Sequence, residues 1–131
     1  MKKGVRVLLV DDDRDYLDAM AFFLKSKGYE VHPEWTASEA LERVRKREVD
    51  VVFLDYAMPG MDGLRVLRAI RKIDSQIPAV LVTAYSGEID LRELSKLGIE
   101  GIFPKTGDFL KLETVIEVVL RTHKKLKAAK R

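Results

Sequence analysis

The sequence has 131 residues, the usual length of a single globular domain with its own core. It is 47% hydrophobic and 34% charged, and the absence of cysteine excludes disulfides, thiol chemistry and cysteine-bound metals. Its apolar stretches are much shorter than the roughly 20 residues of a membrane-spanning helix, and its first residues become acidic too early for a signal peptide. These features predict a cytoplasmic protein.

The formal net charge of +3 hides an uneven distribution. The stretch RTHKKLKAAKR (121–131) holds 6 of the 24 lysines and arginines and no acid, so residues 1–120 carry 18 basic and 21 acidic groups. Because the body of the chain is mildly acidic, we expect no direct nucleic-acid binding. We divide the chain into a domain over residues 1–121 and, over residues 122–131, a basic extension of the last helix or the start of a linker.

Apolar stretches of strand length alternate with amphipathic stretches of helical period. VRVLLV (5–10) is continuously apolar, which is typical of a strand buried on both faces. Asp13 is placed to cap the first helix, and Thr36 with Glu39 forms a capping box for the second. The predicted strands are residues 5–10, 29–35, 51–54, 79–82 and 101–103, and the predicted helices are residues 13–27, 36–47, 64–73, 89–97 and 110 to about 126.

Five strands alternating with five helices predict an α/β fold, with a doubly wound, flavodoxin-like parallel sheet and helices on both faces. The expected strand order is 2-1-3-4-5, whose switch point lies between the first and third strands. Ligands bind beyond the carboxyl ends of the strands at such a point. The side chains that follow these strand ends are those of Asp11, Asp12, Asp13, Asp55, Thr83 and Lys105.

The acids at this edge point to a metal site. At an effective dielectric constant of about 20, two carboxylates ~4 Å apart repel each other by roughly 4 kcal/mol, a cost that a fold driven only by its core would avoid. Mg²⁺ takes oxygen ligands and is commonly shared with phosphate oxygens. Thr83 adds a hydroxyl and Lys105 an ammonium that can pair with an anion. The residues therefore predict a site for Mg²⁺ and a phosphoryl group together.

Four segments in this order resemble the receiver domain of two-component response regulators. They are VLLVDDD (7–13), FLDYAMPGMDG (53–63), LVTAY (81–85) and GIFPK (101–105), and the resemblance extends over residues 5 to about 121. It implies that Asp55 is the phosphoacceptor, with a phosphohistidine of a sensor histidine kinase, a phosphotransfer protein or acetyl phosphate as the donor. It implies a signalling protein that assists only its own phosphorylation and dephosphorylation, and not an enzyme with a separate substrate.

The same resemblance implies the roles of the residues around Asp55. Asp12 would ligate Mg²⁺ directly and Asp11 would do so through water, with the backbone carbonyl of Ala57 and the Asp55 carboxylate as further ligands. Thr83 would bond one oxygen of the phosphoryl group and Lys105 would pair with another. Pro59, Gly60 and Gly63 are expected to fix the loop that carries Asp55 and Ala57.

Three positions depart from the family pattern. Lys105 is followed by Thr106 and not by the usual proline, which excludes a cis-proline turn there. Ile102 stands where an aromatic ring often reports activation, so an aromatic switch is not expected at that position. Tyr85 is larger than its usual counterpart, and we expect it to shield phosphorylated Asp55 from water.

Two other interpretations remain open from the residues. A phosphatase of the haloacid dehalogenase type would use Asp11 as nucleophile and Asp13 as general acid, but it leaves Asp55 unexplained. A pseudo-receiver that only binds partners would not need the full set of acids, hydroxyl and lysine. The resemblance also implies an output domain or partner protein, and a homodimer surface formed by the fourth helix, fifth strand and fifth helix.

Overall fold

The computed structural model describes residues 4–58, 61–84 and 90–122. The expectations for Pro59, Gly60 and Tyr85, and for the basic extension beyond Thr122, lie outside these residues. No helix in the described residues is long and apolar enough to cross a membrane.

Seven strands and five helices form the described part of the chain. In chain order they are β1 (Arg6–Val10), α1 (Arg14–Ser26), β2 (Glu30–Glu34), α2 (Ala37–Arg45), β3 (Val51–Asp55), β4 (Ala57–Met58), β5 (Met61–Asp62), α3 (Gly63–Ile73), β6 (Ala79–Thr83), α4 (Leu91–Lys96), β7 (Gly101–Pro104) and α5 (Phe109–Thr122). The short strands β4 and β5 pair as an antiparallel hairpin, which the sequence did not predict.

The main sheet has five parallel strands in the order β2-β1-β3-β6-β7. Because β6 and β7 are the fourth and fifth strands of this sheet, the predicted order 2-1-3-4-5 is confirmed. The register pairs Val10 with Leu54 and Asp55 with Val82, which brings the carboxyl ends of β1, β3 and β6 to the same edge. The switch point between β1 and β3 therefore lies at that edge.

Helices cover both faces of the sheet, as the continuous apolar strands predicted. Val7 and Leu9 face the core under α1 and α5, whereas Leu8 and Val10 face the core under α2, α3 and α4. Successive side chains of a strand point to opposite faces, so a strand in a two-sided sheet must be apolar at every position. This is why β1, β3 and β6 are apolar over almost their whole length.

Within the described residues, two helix boundaries differ from the prediction by two residues and the others by at most one. The helix α2 ends at Arg45 and not at Arg47, because Arg47 adopts a left-handed backbone conformation with φ of 57°. Such residues are most often glycine or asparagine, so an arginine gave no stop signal. The helix α4 begins at Leu91, after the N-cap Asp90, whose carboxylate accepts a hydrogen bond from the Glu93 amide.

Candidate functional site

The side chains predicted to form the site come from the carboxyl ends of four parallel strands. Asp11 directly follows β1, Asp55 ends β3, Thr83 ends β6, and Lys105 directly follows β7. Asp11, Asp55 and Thr83 are all buried. The backbone amide of Lys105 donates a 2.9 Å hydrogen bond to the Thr83 carbonyl, which ties the last two strand ends together.

Lys105 joins the two buried carboxylates. Its Nζ lies 2.7 Å from Asp11 Oδ2 and 3.1 Å from Asp55 Oδ2. The exposed fraction of the side chain is 14% for Lys105, 3% for Asp11 and 5% for Asp55. Two acids with so little access to water require a counter-charge, since an unpaired buried charge is strongly unfavourable. The ammonium of Lys105 supplies it.

The electrostatics of Asp55 reflect this crowding. Burial, together with the negative charge of Asp11, raises the pKa of Asp55 to about 6 from an ordinary value of 3.8, although the hydrogen bond and charge of Lys105 lower it. Burial lowers the pKa of Lys105, but its hydrogen bonds and ion pairs with Asp11 and Asp55 outweigh that effect and raise it overall. Lys105 is therefore a cation and Asp55 is mostly a carboxylate at neutral pH.

The acids fit a divalent metal ion. Asp11, Asp12 and Asp55 can each offer one carboxylate oxygen, and these oxygens lie within 4.8 Å of one another. Three carboxylates and the single ammonium of Lys105 leave two net negative charges, which a divalent cation would neutralise. Hard oxygen donors of this kind suit Mg²⁺. Ala57 lies in β4, two residues after Asp55, and pairs with Asp62.

Backbone contacts fix the position of Asp11. The amide of Asp13 donates a 2.9 Å hydrogen bond to Asp11 Oδ1, and the amide of Asp11 itself donates to the Glu34 carbonyl at 3.2 Å. Asp13 caps α1, as predicted, because its Oδ1 accepts a 3.2 Å hydrogen bond from the Tyr16 amide. That capping role occupies the carboxylate that a haloacid dehalogenase would use as general acid.

Tyr16 is a neighbour of the site that the sequence did not reveal. The Lys105 ammonium lies 4.8 Å from the centre of its ring. The helical spacing placed Tyr16 only on the apolar face of α1. The contact depends on how α1 is rotated against β7, which periodicity does not specify.

Comparisons with known proteins agree with this geometry. The sequence matches the response regulator receiver domain over residues 7–117. The chain belongs to this family. The phosphatase interpretation is thereby set aside, and the acids, hydroxyl and lysine occupy the strand ends of a receiver fold.

Solved receiver domains have the same fold. A response regulator receiver domain protein (CheY-like) from Methanospirillum hungatei JF-1 superposes with a TM-score of 0.85 at 26% identity, over 92% of this chain and 97% of that one. The N-terminal domain of a response regulator/sensory box/GGDEF 3-domain protein from Carboxydothermus hydrogenoformans superposes with a TM-score of 0.82 at 27% identity, over 92% of this chain and 97% of that one. The non-phosphorylated HemR receiver domain from Leptospira biflexa superposes with a TM-score of 0.81 at 27% identity, over 89% of this chain and 94% of that one.

Proposed function

We propose that this receiver domain accepts a phosphoryl group on Asp55. An Oδ atom of Asp55 would attack the phosphorus of a phosphohistidine or of acetyl phosphate. A new P–O bond forms, the bond from phosphorus to the donor breaks, and its electron pair leaves with the imidazole or the acetate. The observation that carries the proposal is the Lys105 ammonium, held 3.1 Å from Asp55 and 2.7 Å from Asp11 in a largely buried site.

Lys105 and Thr83 would bind the oxygens of the transferred phosphoryl group. Lys105 is close enough to pair with an oxygen of the transferred group, and Thr83, at the end of the neighbouring strand β6, offers a hydroxyl for another. Phosphoryl transfer depends mainly on positioning and on neutralising the charge of the equatorial oxygens. Thr83 ends β6 and Lys105 directly follows β7, and placement on regular elements favours a fixed geometry.

Mg²⁺ would be held by four ligands: the carboxylates of Asp11, Asp12 and Asp55 and the backbone carbonyl of Ala57. Oxygen atoms of the three carboxylates can converge on one point. When bound, the cation supplies neutralising charge to the phosphoryl oxygens and to the acids themselves. The role of the chain is to orient these acids, while the Lys105 ammonium offsets part of their charge. The bond from the Asp13 amide to Asp11 serves the same orientation.

We infer that residues 1–121 form the receiver domain and that residues 122–131 extend its last helix or begin a linker. The expected partners are a histidine kinase or phosphotransfer protein as donor, and an output domain or partner protein as receiver of the signal. One of the similar solved structures is the N-terminal domain of a three-domain protein, which supports such a connection.

Acyl phosphate mapping tests the proposed function. The protein is incubated with acetyl phosphate or phosphoramidate and Mg²⁺, and the modified residue is located by reductive cleavage and mass spectrometry. We expect modification of Asp55, loss of labelling in Asp55→Asn, and dependence on Mg²⁺. Labelling of Asp11 would instead support the phosphatase chemistry, and the absence of any label would support a pseudo-receiver.

A further inference from the structure

Tyr16 contacts the lysine of the site through the face of its ring. The distance of 4.8 Å from Lys105 Nζ to the ring centre is within the range of a cation–π interaction. The Lys105 side chain is largely buried. A desolvated cation is attracted more strongly to an aromatic face than an exposed one is.

The ring is held in place by its own surroundings. It packs on Phe109 in a T-shaped arrangement, at a centroid distance of 5.8 Å and an interplanar angle of 64°, and Phe109 in turn packs on Phe23 at 5.5 Å. The backbone amide of Tyr16 is fixed by its hydrogen bond to Oδ1 of Asp13, the N-cap of α1. Burial raises the pKa of the phenol to about 12, so the ring stays neutral. Core packing thus determines where this aromatic face lies.

The hydroxyl does not explain the placement of Tyr16. It is buried, and it forms no hydrogen bond within the described parts of the chain. A buried hydroxyl without a partner is generally unfavourable, and phenylalanine would pack equally well against Phe109. The contact that distinguishes Tyr16 from other apolar residues of α1 is therefore the ring face toward Lys105.

The ring and the carboxylates act differently on Lys105. Asp55 accepts a hydrogen bond from the ammonium and Asp11 forms an ion pair with it, so both must share or release it when a phosphoryl oxygen becomes its partner. The attraction of an ammonium to a ring face is electrostatic and depends less on direction than a hydrogen bond does. An ammonium can therefore move across the face of the ring and retain much of the attraction. Tyr16 can therefore keep Lys105 inside the site while its partner changes.

We infer that Tyr16 is a positioning residue, which holds the Lys105 ammonium over its ring so that the cation can pass from the aspartates to the incoming phosphoryl group. The inference rests on the proposed phosphorylation of Asp55. Tyr16→Phe keeps the ring, Tyr16→Leu removes it, and Phe23→Leu is a matched control. Phe23 lies on the same helix and in the same aromatic cluster, but its ring faces Lys27, with the Lys27 ammonium 5.5 Å away.

The first measurement concerns geometry and needs no phosphorylation. In ¹H–¹³C spectra the Lys105 ε-methylene protons should be shifted upfield by the Tyr16 ring in the wild type and in Tyr16→Phe. In Tyr16→Leu they should return toward the position of an ordinary lysine, and in Phe23→Leu they should not move. An unchanged Lys105 signal in Tyr16→Leu would overturn the inference whatever happens to labelling.

The second measurement is the rate of Asp55 labelling by acetyl phosphate at saturating Mg²⁺. We expect Tyr16→Leu to be about threefold to tenfold slower and Tyr16→Phe to be within about twofold of the wild type. Phe23→Leu should lose stability but keep the wild-type rate. In a Lys105→Met background, Tyr16→Leu should have no additional effect on the rate, since Tyr16 acts through Lys105.

The outcomes separate this inference from the proposed function. If the wild type is not labelled on Asp55, the proposed function fails; if it is labelled and Tyr16→Leu is equally fast, only the inference fails. The inference is also wrong if Phe23→Leu slows labelling of Asp55 as much as Tyr16→Leu does. It is wrong as well if Tyr16→Leu slows labelling in the Lys105→Met background by the same factor as in the wild type. Should Tyr16→Leu not fold, Tyr16→Met takes its place, because a flexible thioether fills irregular space without a ring.

Discussion

Gly63, the first residue of α3, lies directly against the backbone of Asp55 at the end of β3. A Cβ atom added to Gly63 would be 2.7 Å from the Tyr56 carbonyl oxygen and nearer still to the Asp55 carbonyl oxygen. The Gly63 amide donates a 3.1 Å hydrogen bond to the same Tyr56 carbonyl. The helix therefore starts in contact with the strand that carries Asp55, and only glycine allows this approach.

We predict that Gly63→Ala destabilises the protein by about 1–3 kcal/mol, because the backbone next to Asp55 must shift to admit the methyl group. The same shift should slow labelling of Asp55. Urea unfolding and acetyl phosphate kinetics measure the two effects. Gly101→Ala is the control, since a Cβ added there meets nothing within 4 Å. Equal stability of the two variants would contradict the prediction.

The fold could be predicted because each central strand is buried on both faces. A run such as Leu8, Leu9 and Val10 has no polar position, and this excludes the alternating pattern of a half-exposed sheet. The convergence of Asp11 and Asp55 followed from the strand order alone, since β1 and β3 are neighbours at the switch point. Family resemblance then assigned the individual roles.

Features that depend on tertiary contact could not be predicted. The left-handed conformation of Arg47 ends α2 without any glycine or asparagine signal. The contact of Tyr16 with Lys105 requires the relative placement of α1 and β7. Arg71 was one charge among many in the sequence, although its guanidinium connects α3 to the backbone at Ile77 and at Leu97–Gly98 in the structure.

In the absence of Mg²⁺, Asp55 should make the free energy of unfolding depend on pH. Its pKa is about 6 when folded and 3.8 ordinarily, so between these values the folded state binds more protons than the unfolded chain. The free energy of unfolding contributed by Asp55 therefore falls as pH rises through this window. We predict that Asp55→Asn is about 1–2 kcal/mol more stable than the wild type near pH 8, and almost equal to it near pH 4.

Urea unfolding in a chelating buffer at several pH values measures this difference. Comparing variant with wild type at each pH removes the contributions of titrating groups that do not interact with Asp55. Asp18→Asn, at an exposed position of α1, shows the effect of an amide substitution away from the site. A stability gap that is the same at acid and alkaline pH would show that ionised Asp55 is not under strain.

Arg71 provides a test of the scaffold beneath the site. Its Nε and Nη1 donate hydrogen bonds of 2.6 Å to the carbonyls of Leu97 and Ile77, and Nη2 donates to the Gly98 carbonyl at 3.3 Å. Lysine keeps the charge but cannot reproduce this planar set of donors. We predict that Arg71→Lys lowers the free energy of unfolding by about 1–3 kcal/mol, because the carbonyls of buried Ile77 and half-buried Leu97 lose their hydrogen bonds.

Chemical denaturation of Arg71→Lys and of Arg65→Lys decides the matter. Arg65 lies on the exposed side of the same helix, so its substitution should change stability by less than about 0.5 kcal/mol. The Mg²⁺ affinity should stay unchanged in both variants, because Arg71 lies at the other end of α3 from Asp55. Similar stabilities for the two variants would show that the three carbonyl contacts contribute little.

Asp12 gives the sharpest test of the metal site, because its carboxylate can converge with Asp11 and Asp55 but is itself only partly buried. Without Mg²⁺ the three acids repel one another, so we predict that Asp12→Ala is at least as stable as the wild type. A cation that binds only the folded state stabilises it by about 2.7 kcal/mol at a hundred times its Kd. The wild type should show such a rise in Tm with Mg²⁺, as should the exposed control Asp18→Ala, whereas Asp12→Ala should show none. Persistent Mg²⁺ stabilisation in Asp12→Ala would remove Asp12 from the ligand set, because a cation held by the remaining acids alone would not need its carboxylate.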